Sequence, residues 1–174
     1  MSKGTAIFSA IVAAVVVAFF LVLYGYNQKH PARSEAGGGF PTVDGISCDS
    51  TEHSQERLHT HLYIIDNGKQ TTIPSQIGIH NSGSCLYWIH THDTTGVIHV
   101  EAPTQRNFTF GQFFDIWQQY PKAIFGKSVK VFVNGQLFKG DLRSIKLKNQ
   151  ENIVIEIGPK FVSPPSYHIP ANMP

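Results

Sequence analysis

From Ala6 to Gly25 the chain reads AIFSAIVAAVVVAFFLVLYG, with no charged residue between Lys3 and Lys29. No other feature constrains the fold as strongly, because a chain inside a bilayer must satisfy its backbone polar groups internally. Twenty helical residues rise about 30 Å, the hydrocarbon thickness of a membrane. Tyr24 and Tyr26 fall where an interfacial aromatic belt forms. A cleaved signal peptide would carry a shorter apolar core of about 7–15 residues ending in a small-residue site. The stretch LVLYGYNQKHP offers no such site. Residues 1–26 therefore read as an uncleaved transmembrane anchor. The short N-terminal tail and the large C-terminal part place the rest of the chain on the extracytoplasmic side. Ala6, Ala10, Ala14 and Ala18 recur every fourth residue and form a small-residue stripe suited to a helix partner within a membrane complex.

Residues 27–45, with Gly37–Gly39 between Pro31 and Pro41, read as a flexible linker. Residues 159–174 form a proline-rich tail, extended against the domain or free. Between them, 46–158 is enough chain for one modest core. The net charge of +2 gives no electrostatic footprint for nucleic acid.

Two Asn-Gly pairs mark hairpins: LHTHLYIID turns at Asn67-Gly68 into KQTTI, and VKVFV turns at Asn134-Gly135 into QLF. One helix lies between them. Thr109 and Gln112 form a capping box, and Phe110, Phe113, Phe114 and Trp117 follow the helical period as a core-facing stripe. The expected class is α+β: an N-terminal transmembrane helix, then a small, mostly antiparallel β domain with one main helix. IHTHDTTGVI from Ile89 and IKLKNQENIV from Ile145 also share a frame, which suggests two related strand–turn–strand units.

Histidine is the compositional outlier, with nine copies. Strand alternation puts His59 and His61 on one side, and likewise His90 and His92. With Asp93–Gly96 as a four-residue loop, His92 pairs with Val97, His90 lies opposite His99, and Glu101 lies opposite Trp88. Neutral imidazole is the commonest metal ligand, and a nitrogen-rich set suits zinc or copper. The expected metal ligands are His90, His92 and His99, assisted by His59, His61 and Glu101. Asp93 reads as a turn residue. Cys48 and Cys85, an even pair in an oxidising compartment, read as a disulfide.

There is no Gly-rich phosphate loop, no His-Glu-x-x-His helix and no nucleophile elbow. His-x-His is a feature of cupins, but their glutamate spacing and following glycine are missing. The hairpin–helix–hairpin–strand order over 85–158, ending in NIVIEIG, resembles β-grasp domains. CLYWIHTHD, GVIHVE and FTFGQFFDIW resemble a group of bacterial membrane-anchored extracytoplasmic proteins without a known activity. The expectation is a membrane-anchored protein that binds or handles copper or zinc outside the cytoplasm. The alternative is a non-catalytic accessory subunit of a membrane complex, docking through its helix and its soluble domain. A metalloenzyme ranks third, since no dedicated base or substrate pocket can be read.

Overall fold

The computed structural model describes residues 40–80, 84–118, 124, 126–171 and 173. The expected membrane helix, its alanine stripe at Ala6, Ala10, Ala14 and Ala18, and most of the expected linker lie outside these residues. Among the described residues no helix is long and apolar enough to cross a membrane.

The described chain is mostly β, with strands β1 (Cys48–Asp49), β2 (Glu56–Asp66), β3 (Lys69–Thr71), β4 (Ile79–His80), β5 (Cys85–Tyr87), β6 (Ile89–His90) and β7 (Val97–Ala102). Helix α1 (Phe110–Trp117) follows, then β8 (Val129–Val133), β9 (Gln136–Phe138), a 3-10 turn at Leu142–Ser144, and β10 (Glu151–Ile157). The main sheet has the order β6-β7-β2-β10-β8-β9, with β3 also paired to β2; a small second sheet has the order β1-β5-β4. All pairings are antiparallel except β2 with β10, which run parallel at the centre. The sheet is therefore mixed. A parallel pair needs a long crossover, and here nearly the whole domain lies between the two strands.

Both Asn-Gly turns form as expected. Asn67 and Gly68 have φ of 52° and 78°, and Asn134 and Gly135 have 51° and 78°. These positive values match a type I′ hairpin turn, whose twist suits the flanking strands. Thr109 caps α1, and the reciprocal bond from Gln112 completes the box. Phe110, Phe113 and Phe114 are buried, together with Phe108 just before the helix. They pack with Leu58, Leu62, Ile64, Ile98, Val100, Ile153, Ile155 and Ile157 from one face of the main sheet. Each fully buried side chain of this kind contributes roughly 1.5–3 kcal/mol, so this face anchors the fold.

The suggested relation between 89–98 and 145–154 does not extend to structure. Ile89 and His90 pair with β7. Lys146 instead bridges Thr109, and the Leu147 amide bonds to Phe108. The second segment thus closes onto the helix entrance, and β10 takes β2 and β8 as partners.

The packed residues begin before Ile46. Tyr87 donates to the Pro41 carbonyl at 2.7 Å, and Gln112 donates to the Asp44 carbonyl at 3.0 Å. The tail is strapped across the sheet face opposite the helix. Lys130 sits 4.1 Å over the Phe161 ring, Asn152 donates to the Pro165 carbonyl, and Tyr167 stacks on His61 with ring centroids 3.8 Å apart.

Candidate metal centre

The site is built on the face of the main sheet that α1 leaves free. β6, β7 and β2 are neighbours, and their register aligns His90 with His99 and His99 with His59. Cross-strand neighbours share a face, so three imidazoles form a row. Glu101 follows on the same face of β7, and its amide bonds to the Trp88 carbonyl. His90, His99 and Glu101 are all nearly fully buried.

His92 departs from its expected place. β6 ends at His90 because the Thr91 amide bonds to Ile77, and the Thr91 hydroxyl donates to Pro74. The pairing of His92 with Val97 is lost, since the β6–β7 ladder stops at His90 and His99, and Val97 pairs only on its other side, with His61. Freed from the strand, the His92 ring turns back over the row. Its Nε2 lies 3.1 Å from His90 Nε2, and its ring centroid lies 4.5 Å from that of His99.

His90 Nδ1 lies 2.8 Å from the Tyr87 carbonyl. A carbonyl only accepts, so Nδ1 carries the proton and the neutral ring presents a bare Nε2 lone pair toward His92. A carbonyl accepting from the far nitrogen fixes the tautomer and the ring orientation, as it does for an imidazole that ligates a metal. Burial lowers the His90 pKa from 6.5 to about 4 and that of His99 to about 3, with neighbouring imidazoles adding to the effect. Both rings are neutral at pH 7, the form that ligates. His99 Nδ1 is buried without a hydrogen-bond partner.

Glu52 joins the group from the segment between β1 and β2. One ligand atom each from Glu52, His90 and His92 lie within 4.8 Å of one another. Glu52 Oε1 is 3.7 Å from His92 Nε2. Sequence spacing gave no sign of Glu52. Its placement follows from the Cys48–Cys85 disulfide, whose Cα atoms are 5.2 Å apart, and from β1 pairing with β5. These fasten the chain just upstream of Glu52 beside the strand leading into His90. Asp49 adds to this by accepting from the Trp88 indole at 2.7 Å.

The remaining expected ligands divide. His59 lies beside His99, with ring centroids 4.7 Å apart. His61 is drawn away: its Nε2 is 2.9 Å from the Thr95 carbonyl, its Nδ1 is 3.1 Å from Asn152 Oδ1, and Tyr167 covers the ring. With both nitrogens against protein oxygens and Tyr167 over the ring, His61 braces the loop after His92 instead of facing the other imidazoles. Gly96 lets that loop close, since a Cβ there would meet the Leu62 carbonyl oxygen at 2.5 Å. Asp93 does turn chemistry, accepting from the Thr95 amide and hydroxyl.

Glu101 is held by Arg57, whose Nε and terminal nitrogen donate to Oε1 at 3.0 and 2.8 Å. Its Oε2 has no hydrogen bond and lies 3.9 Å from His90 Nε2. Burial raises the Glu101 pKa against the opposing pull of Arg57. Replacing Arg57 with alanine strands a buried carboxylate. Because Arg57 is 42% exposed, the expected loss at pH 7 is about 1–3 kcal/mol, below that for a fully buried pair. A raised carboxylate pKa means the folded state binds the extra proton, so the loss shrinks as pH falls toward 4.5. Urea unfolding of Arg57→Ala and Arg57→Ala/Glu101→Gln checks this: the second substitution restores most of the loss at pH 7.

The donor set fits a transition metal. Two nitrogens, each about 2.0–2.1 Å from a tetrahedral zinc ion, stand about 3.3 Å apart. The 3.1 Å between His90 Nε2 and His92 Nε2 is close to that spacing. The centre is buried on the His90 side and open on the other, where the His92 and Glu52 side chains are 39% and 44% exposed. No family model, curated protein or solved structure matches the chain.

Proposed function

We propose that this protein is a membrane-anchored, extracytoplasmic protein that binds and hands on a transition metal, copper or zinc. The observation that carries the reading is the meeting of His90 Nε2, His92 Nε2 and a Glu52 oxygen within 4.8 Å at the end of β6. His90 is the fixed ligand, oriented by the Tyr87 carbonyl. His92 and Glu52 are the exposed ligands through which an ion enters and leaves. Such an open site suits acquisition, buffering or delivery more than permanent structural binding. His99 and Glu101 line the buried side of the centre, with Glu101 Oε2 3.9 Å from His90 Nε2.

The apolar run from Ala6 to Gly25 supports the anchor, and the Cys48–Cys85 disulfide supports an oxidising compartment. The order of elements supports a β-grasp-like reading, though over a longer span than 85–158: β2 with β7 replaces the β6–β7 hairpin as the first unit, then come α1, the β8–β9 hairpin and a final strand in mid-sheet. That reading brings no activity of its own.

The test uses the full chain in mild detergent, without a polyhistidine tag. One equivalent of zinc or copper is expected to bind. His90→Ala/His92→Ala is expected to weaken binding more than about 100-fold, beyond the effect of losing an outer-shell partner. Equal affinity in the double variant overturns the site. A protein that takes up no metal, and gains no stability when metal is added, points instead to the accessory-subunit reading.

A further inference from the structure

We infer that the ion taken here is divalent, Zn(II) or Cu(II), rather than Cu(I), and that the Glu52 carboxylate is its third ligand. This rests on the metal-binding reading above and adds the class of ion.

The argument starts from the donors. Thiolate and thioether sulfur select Cu(I), whereas imidazole and carboxylate suit harder divalent ions. The cluster offers two imidazole nitrogens and a carboxylate oxygen, with no sulfur among the three. Cys48 and Cys85 are consumed by their disulfide, and no free cysteine remains among the described residues. Glu101 gives the second, independent indication. Its side chain is 1% exposed, and its Oε2 is unpartnered and 3.9 Å from His90 Nε2. Arg57 balances the charge of Glu101 through Oε1, so what Glu101 adds is Oε2, a further oxygen donor facing the centre, and oxygen donors suit a divalent ion better than Cu(I).

Glu52 is the residue on which the inference can be tried. It is exposed, and His90 is held by the Tyr87 carbonyl, so Glu52→Gln leaves His90 where it is and keeps a side chain of the same size beside His92. The full chain in detergent is titrated with Zn(II), with Cu(II), and with Cu(I) under ascorbate against a Cu(I)-specific chelator. Glu52→Gln is expected to weaken Zn(II) and Cu(II) binding tenfold or more and to change Cu(I) binding less than twofold. Ascorbate is expected to release copper from the wild-type protein to the chelator. Copper that stays bound after reduction, or a Glu52→Gln variant that binds divalent ions as the wild type does, overturns the inference and leaves a metal site standing. If none of the three ions binds, the metal reading itself falls.

Discussion

Acidifying the metal-free protein from pH 6.5 to about 4 is expected to remove about 3 kcal/mol of folding stability through His90 alone. The sign follows from the direction of the shift. In the unfolded chain His90 takes up a proton near its ordinary value of 6.5, whereas in the fold it resists until about 4. Across that window the unfolded state holds more protons, so stability falls as the pH falls. His99, lowered to about 3 by burial, acts in the same direction over a wider range. The cause is geometric: three rings and a carboxylate share one buried sheet face, and a charge on any ring meets poor solvation and like-charged neighbours. Urea unfolding at a series of pH values from 7 to 4 measures the effect. His90→Gln keeps a donor for the Tyr87 carbonyl but cannot titrate, so its stability curve is expected to be flatter by the stated amount. Parallel curves for variant and wild type would show that His90 is not held neutral by the fold.

The second large effect concerns the disulfide. Cys48 and Cys85 are separated by 37 residues, and a closed loop of that size restricts the unfolded chain by about 3–4 kcal/mol. Cys48→Ala/Cys85→Ala is expected to lose that much stability, read from denaturant midpoints at constant slope. The substitution also carries a functional signature. β1 owes its place beside β5 to this bond and to a two-residue ladder. Without the bond, the chain that carries Glu52 is less firmly held near His92. Metal affinity is expected to drop toward that of Glu52→Gln, while the contribution of His90 and His92 persists. A loss below about 1 kcal/mol, or affinity unchanged from the wild type, would mean that Glu52 is positioned by something else.

Local signals carried much of the fold. Asn-Gly turns, the Thr109–Gln112 capping box and the phenylalanine stripe each depend on a few adjacent residues, and each appears where the sequence puts it. The alignment of His90 with His99 was equally legible, because a buried face punishes a one-residue slip by turning every side chain over. The proposed relation between 89–98 and 145–154 failed for the opposite reason. Both segments have strand-like composition, but whether a strand pairs with its neighbour or with a distant partner depends on long-range closure.

By itself, then, the sequence determined the hairpins, the helix with its cap, and the row of imidazoles across β6 and β7, because these arise from short-range backbone and alternation rules. Only tertiary structure decided which of the histidines meet. Thr91, bonded to the Ile77 segment, took His92 out of the strand and turned it onto His90. Asn152, Thr95 and Tyr167 drew His61 away. The disulfide brought in Glu52 from a distant segment. Each of these contacts joins residues far apart in the chain, and no local periodicity records them.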